Sequence, residues 1–266
     1  MLEDCPDGDK TSLGTIPETK KVQAEIQAVE KLVFAGGPVV EVSFESIATV
    51  ELNVKEGHTA EPGQVIGIIT GNAIEILTHE RVMLNLIQRM SGIATNVKRF
   101  AELANPHQIK ILDTRKTTPG LREFEKYAVT VGGGYNHRFS LSDGVLIKDN
   151  HIQAAGGVKP AIAQIKENHF GLPIECEVDT HDQILEALGI GVDGFLLDNM
   201  TPDQTREAVD IIRNAPIGDD IFIESSGGMN FDSFQAYLDT GINAISIGSL
   251  THSVKSSDIR LEFKPI

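Results

Sequence analysis

Residues 173–199 read PIECEVDTHDQILEALGIGVDGFLLDN, and this stretch decides the fold. Two short apolar runs, PIECEVDT and GFLLDN, flank HDQILEALG, a segment of helical character. A strand, a helix and a second strand in that order imply a βαβ unit and parallel pairing. The same alternation continues outward in both directions. Strand-like runs recur as IKILDTRK (109–116), GVLIKDN (144–150), IFIESSGG (221–228) and NAISIGS (243–249). Helical stretches lie between and beside them: LREFEKYAV (121–129), KPAIAQIKENH (159–169), PDQTREAVDIIRNA (202–215) and FDSFQAYLDTG (231–241). Right-handed crossovers place such helices on the outside of a parallel sheet. Six strands are fewer than a closed (β/α)₈ barrel requires. The reading is therefore α/β, with an incomplete barrel of six or seven strands over residues 106–252.

Ahead of this region the pattern differs. Residues 20–76 carry strand and turn signals, with a turn expected at Gly36-Gly37 and a glycine-bounded apolar run in GQVIGIITG. Residues 79–104 place Met83, Leu86, Ile87, Met90, Ile93, Ala94, Val97, Phe100 and Ala101 on one helical stripe. Thr78 is the expected N-cap, and Asn105-Pro106 the expected end. This gives a first α/β domain at 1–105. The tail at 253–266, containing IRLEFKPI, is expected to return to it as a strand.

Charge and composition exclude several classes. The 266 residues carry a net charge of −15, which argues against nucleic acid. No apolar run approaches membrane-spanning length. The acidic, polar start, MLEDCPDGDKTS, is not a secretory signal, so a cytoplasmic protein is expected. Cys5 and Cys176 lie far apart and read as two reduced thiols. The charge is uneven, however. Residues 106–150 hold seven Lys/Arg against five Asp/Glu, a net +2 inside an acidic chain. Such an island suits a compact anionic ligand, or it is a solvated face.

The strand ends concentrate polar chemistry. The six runs finish in Asp113-Thr114-Arg115-Lys116, Lys148-Asp149-Asn150-His151, Glu177-Val178-Asp179, Asp198-Asn199, Glu224-Ser225-Ser226-Gly227-Gly228 and Gly248-Ser249. In parallel α/β folds this is the ligand face. In PIECEVDT the two-residue period puts Glu175, Glu177 and Asp179 on one face. Three carboxylates there need cations or a metal, unless the strand is a wet edge. The glycines of ESSGG and SIGSLTH suit a phosphate, although tight turns also use glycine. GGGYNHR (132–138) sets donors on Asn136, His137 and Arg138 after a permissive backbone. With Arg115, Lys116 and Lys148 they suggest recognition of carboxylates. His137 is expected to act as donor or orienter, because no second His or Cys stands at ligand spacing.

These segments in order resemble the quinolinate phosphoribosyltransferase family. The resemblance rests on EDCPDGDKTS, HERVMLNLIQRMSGIAT, KILDTRKTTPGLREFEKYAVTVGGGYNHR, VLIKDNHI, ECEVDT, LLDN, ESSGG and ISIGSLTHS, which cover nearly the whole chain. It implies an open α/β sandwich before the barrel. It implies an enzyme that joins quinolinate to phosphoribosyl pyrophosphate with Mg²⁺, releasing carbon dioxide and pyrophosphate and giving nicotinate mononucleotide for NAD biosynthesis. It also implies a homodimer or higher homo-oligomer with sites shared between subunits. By motif, Arg81 resembles the arginine offered to the neighbouring subunit. Arg115, His137 and Arg138 resemble the carboxylate clamp. Lys116 and Lys148 resemble the lysines facing both substrates. Glu177 and Asp198 resemble the acids for ribose hydroxyls and Mg²⁺. Ser226, Gly227, Gly228 and Gly248 resemble the 5′-phosphate loops. The one departure within these motifs is ESSGG in place of the commoner EASGG. The alternatives are a related phosphoribosyltransferase with another acceptor, and a non-catalytic phosphate-sugar binding protein.

Overall fold

A computed structural model describes residues 3–168 and 170–264. The strands in chain order are β1 (Lys21–Ala28), β2 (Leu32–Val33), β3 (Ala48–Leu52), β4 (Thr59–Ala60), β5 (Val65–Asn72), β6 (Lys110–Leu112), β7 (Val145–Ile147), β8 (Ile174–Val178), β9 (Gly194–Asp198), β10 (Phe222–Ser226), β11 (Ala244–Ser246) and β12 (Ile259–Lys264). The α-helices are α1 (Lys10–Thr15), α2 (Gly37–Ser43), α3 (Ala73–Ala104), α4 (Arg122–Val131), α5 (Asp149–Ala155), α6 (Val158–Glu167), α7 (His181–Ile190), α8 (Pro202–Arg213) and α9 (Ser249–His252). None is long and apolar enough to cross a membrane among the described residues. His169, the last residue of the segment expected as KPAIAQIKENH, and the last two residues of the tail lie outside the described residues.

The chain divides into two units. The first holds residues 1–98, 118–133 and 253–266. Its sheet is antiparallel, in the order β12-β1-β5-β3. On β1 the alternate residues Val22, Ala24 and Ile26 are buried. They join Ile66 and Ile69 of β5 and Ile76, Met83, Leu84 and Ile87 of α3 in one core. Each fully buried aliphatic side chain contributes about 1.5–3 kcal/mol. The first unit is thus a sheet covered by a long helix.

Helix α3 starts earlier than the expected residue 79. Asn72 is its cap: Oδ1 accepts from the N–H groups of Ile74 and Glu75 at 2.9 and 3.3 Å. Thr78, expected as the cap, sits inside the helix and donates to the Ile74 carbonyl at 2.8 Å. The Gly36-Gly37 turn opens the short helix α2 instead of joining two strands. Both glycine N–H groups donate to Glu56 Oε1.

The division also differs from the boundary expected at 105/106. Residues 118–133, with α4, belong to the first unit. The cause is a buried ion pair: Glu125 is almost fully enclosed and meets Arg89 of α3 at 2.6 Å. Glu125 further accepts from the Thr118 N–H at 3.0 Å. Gly132 then lies so close to α3 that a Cβ there would come within 2.6 Å of the Ala94 carbonyl. Residues 99–117, in contrast, group with the second unit.

That second unit, residues 99–117 and 134–252, carries the parallel sheet in the order β6-β11-β10-β9-β8-β7. Its neighbouring pairs are all parallel. The six strands coincide with the six runs read from the sequence. Beside β6, Tyr135 makes a single parallel bridge to Leu112, which is the start of a seventh strand position. Strands β6 and β7 do not pair, so the barrel is incomplete.

On β8 the alternation is regular. Ile174, Cys176 and Val178 are buried among apolar neighbours, while Glu175 and Glu177 take the other face. Burial and the charges of Glu177 and Glu175 push the Cys176 thiol up to about 12. Iodoacetamide at pH 8 is therefore expected to label Cys5 and leave Cys176 unmodified in the native protein. Mass spectrometry of the alkylated peptides, with a denatured control in which both react, checks this.

Candidate active site

The period of two along parallel strands builds the site. Every second residue faces the barrel interior, and Leu146, Glu177, Leu196, Asp198, Glu224, Ser226 and Ser246 do so from the strands, with Lys148 and Gly248 just beyond two of them. Together with Thr114, Arg115, Lys116, His137 and Arg138 they line a cavity of about 760 Å³ at the carboxyl ends of the strands. The cavity lies wholly within the second unit.

Of the residues matched to the family's motifs, all but Arg81 are brought together. Arg115, Lys116, His137, Arg138, Lys148, Glu177, Asp198, Ser226, Gly227, Gly228 and Gly248 all line this cavity. Arg81 does not. It is exposed on α3 in the first unit. Asp179, expected on the carboxylate face with Glu175 and Glu177, is instead exposed beyond the end of β8 and borders a separate small cavity with Thr180 and His181. The strand has ended there, so the two-residue alternation no longer sets its direction.

The charges are arranged in opposition. Lys148 Nζ donates to Glu177 Oε2 in a close ion pair, with the Glu177 side chain only 12% exposed. Asp198, next to it, has its carboxyl raised above the usual range, by burial first and by the Glu177 charge second; Lys148 and Lys116 oppose this. Asn199 also donates to Asp198 at 2.6 Å. Arg138 is shifted down, by burial and then by the neighbouring Arg115 guanidinium. Two guanidinium groups so close together are poised to receive an anion. Arg138 is held in part by its own bond to the Gly144 carbonyl at 2.9 Å.

Below the clamp lies His137. Its backbone N–H donates to buried Asp113 at 2.9 Å, and its Nδ1 accepts from the Arg138 N–H at 2.8 Å. Its Nε2 faces Glu175 at 3.4 Å and Glu224 at 3.6 Å. Glu175 borders a second cavity of about 300 Å³, which shares His137, Arg138 and Leu146 with the first. Glu224 was not among the residues singled out as the site. The signal was present, since Glu224 stands two residues before Ser226 and so shares its face of β10.

The glycine rim is tightly fitted. Gly227 has φ +99°, and a Cβ there would come within 2.2 Å of Asn199 Oδ1. Asn199 itself has φ +54° and donates its N–H to the Ser226 carbonyl at 3.0 Å. Gly248 faces Lys116 Cδ, to which a Cβ would come within 3.0 Å. Lys116 is tied down through its carbonyl, which accepts from the Thr251 hydroxyl at 2.8 Å.

An α/β barrel with cations, paired acids and a glycine rim converging at its strand ends defines an enzyme site for anionic substrates. Comparison with known proteins specifies it further. Residues 93–262 match the C-terminal domain of quinolinate phosphoribosyl transferase, and residues 9–91 match its N-terminal domain. The chain therefore belongs to the quinolinate phosphoribosyltransferase family. It is 44% identical to a probable nicotinate-nucleotide pyrophosphorylase (carboxylating) of Bacillus subtilis, over 98% of this chain and 90% of the relative. Among solved structures it is similar to NadC of Streptococcus pyogenes, with TM-score 0.91, 37% identity and coverage of 99% of this chain and 94% of that one. It is also similar to a nicotinate-nucleotide pyrophosphorylase of Ehrlichia chaffeensis, with TM-score 0.92, 36% identity and coverage of 99% and 95%. The fold expected from the sequence is thus the fold of the family.

The Gly227→Ala variant is expected to lose about 1–3 kcal/mol of stability, since a side chain there is strained in φ and strikes Asn199. Calorimetry is expected to show a lower Tm. Titration with inorganic phosphate is expected to show weaker binding.

Proposed function

We propose that the chain transfers the phosphoribosyl group of phosphoribosyl pyrophosphate to quinolinate and decarboxylates the adduct, giving nicotinate mononucleotide, pyrophosphate and carbon dioxide for NAD biosynthesis. The observation that carries this reading is the gathering of Arg115, Arg138 and Lys148 opposite Glu177 and Asp198 in one cavity. A dicarboxylate needs several cations, and a reacting sugar needs acids.

Arg115 and Arg138 take the carboxylates of the acceptor, and Lys148 stands between acceptor and donor. The ring nitrogen attacks the anomeric carbon while the bond to pyrophosphate breaks, its electron pair leaving with the pyrophosphate oxygen. Positive charge develops on the sugar. Glu177 and Asp198 stabilise it and orient the ribose hydroxyls. Lys116 faces the departing anion. Ser226, Gly227, Gly228 and Gly248 bring backbone N–H groups to the 5′-phosphate. The carbon–carbon bond to the adjacent carboxylate then breaks, and its electron pair remains on the ring carbon beside the cationic nitrogen. Carbon dioxide departs and a proton takes its place. Among the described residues of the cavity no activated nucleophile is evident, so direct transfer without a covalent enzyme intermediate is the favoured course.

Two crowded acids, one of them raised by the other's charge, are a donor set suited to a divalent cation. Glu177 and Asp198 would hold Mg²⁺, which when bound offsets charge on pyrophosphate. The working unit is proposed to be a cytoplasmic homodimer or larger homo-oligomer, in which Arg81 serves the neighbouring site. Its exposure on α3 supports this. A different acceptor is the rival reading. The number of cations favours the dicarboxylate.

Two outcomes are expected. Incubation with quinolinate, phosphoribosyl pyrophosphate and Mg²⁺ gives nicotinate mononucleotide by chromatography, and nicotinate in place of quinolinate gives none. Arg138→Ala raises the quinolinate KM roughly tenfold to a hundredfold, as for loss of a charged hydrogen bond, with the donor KM little changed. Equal losses for both substrates reject the clamp. Separately, Arg81→Ala and Lys116→Ala proteins, each inactive alone, are expected to regain activity when mixed and re-equilibrated. No recovery would refute the shared site.

A further inference from the structure

Glu224 is the most deeply enclosed acid of the cavity, with 0% of its surface exposed. Neither carboxylate oxygen has a hydrogen-bond partner of ordinary geometry, and the Glu175 Oε1 atom is in the same condition. Leaving a buried carboxylate so poorly matched is costly. A protein does not keep such a group in its core for stability, because an apolar residue of similar size would serve better. Its surroundings indicate what it is kept for. Of the two ring nitrogens of His137, Nδ1 accepts from the Arg138 backbone N–H. That N–H donates only to an unprotonated nitrogen, so the proton of the neutral ring lies on Nε2. This Nε2–H is directed at the paired acids, 3.4 Å from Glu175 and 3.6 Å from Glu224.

We propose that Glu224, together with Glu175, is a positioning residue for acceptor binding: Glu175, at 3.4 Å, receives the Nε2–H of His137, Glu224 backs it at 3.6 Å as the second acceptor within reach, and the pair fixes the ring tautomer and, through Nδ1, the backbone from which Arg138 reaches the acceptor. The proposal rests on the functional reading above and extends it from the clamp to its support. The same three side chains have donor atoms within 4.8 Å of one another, a spacing that would also admit a metal ion. The tautomer argues against that occupant, since a protonated Nε2 has no lone pair to give. Burial and the Glu175 charge push the Glu224 carboxyl up to about 8. The charge of His137 and a hydrogen bond from the Ser246 side chain oppose that rise.

The test compares Glu224→Gln with Glu224→Leu, against the wild-type chain. Glutamine retains an acceptor for the ring N–H, and leucine retains only volume. The Gln variant is expected to keep the quinolinate KM within about threefold, and the Leu variant to raise it about tenfold while leaving the donor KM unchanged. The Leu variant is also expected to melt at a temperature equal to or above wild type, because it replaces an unmatched buried acid with an apolar side chain. Equal impairment of both substrates, a normal quinolinate KM in the Leu variant, or equal defects in both variants would overturn the proposal. Should the Leu variant fail to fold, side-chain ¹⁵N spectra of the wild-type histidines decide. His137, assigned by its loss in His137→Gln, is expected in the Nε2-protonated form, and an Nδ1-protonated ring overturns the assignment. Stoichiometric zinc or manganese in purified wild-type protein that disappears with Glu224 would overturn it as well. A wild-type chain that makes no nicotinate mononucleotide would sink the functional reading, while the spectra would still report on the ring.

Discussion

The ion pair of Lys148 and Glu177 is the interaction on which the cavity depends. The interior of a small barrel is ordinarily filled by apolar layers. Here Lys148, Glu177 and Asp198 make part of it ionic. Removing a carboxylate from water costs several kcal/mol, and only close opposite charge with good hydrogen bonding offsets it. Lys148, the residue after β7, meets Glu177 on the adjacent β8, so the offset comes from the end of the neighbouring strand of one sheet. The pair leaves Asp198 crowded by charge of its own sign. The two arginines are crowded likewise. Each group of like charges lacks a partner that a substrate carries, and complementarity to the proposed substrates follows from the mismatch.

The overall charge of −15 and the cationic cavity act at different distances. At physiological ionic strength charges are screened beyond about 8 Å. The acidic surface therefore weakly repels an approaching dianion, whereas Arg115 and Arg138, as the proposed clamp, would act on it at contact. On that reading selectivity for a compact dicarboxylate rests on the short-range arrangement rather than on net charge.

Much of this was legible in the sequence, for a definite reason. A parallel barrel strand alternates strictly, so the residue types at Glu177, Asp198 and Ser226 declare both their direction and their rim position. The same rule reaches Glu224 two residues earlier, but a lone glutamate within an apolar run does not announce that its oxygens meet an imidazole from another segment. Where regular structure stops, the rule fails, as at Asp179. Thr78 and Asn72 are both good caps by residue type, and only the geometry at the end of β5 selects Asn72. The place of α4 depended on Arg89 and Glu125, which are 36 residues apart, beyond the reach of any local pattern. Tyr135 beside β6 is equally non-local.

The chain passes between its two units four times, at residues 98/99, 117/118, 133/134 and 252/253. The edge strand of the first sheet, β12, pairs with β1 although some 230 residues separate them. During synthesis the first unit consequently lacks one sheet edge until residues 259–264 have left the ribosome. Its hydrogen-bonding edge on β1 stays open while the second unit is made, a period in which a nascent chain is vulnerable to pairing with the wrong strand. A single cut at any position separates one unit from part of itself, so gene fusion or splitting at the apparent boundary would yield fragments that need each other to fold.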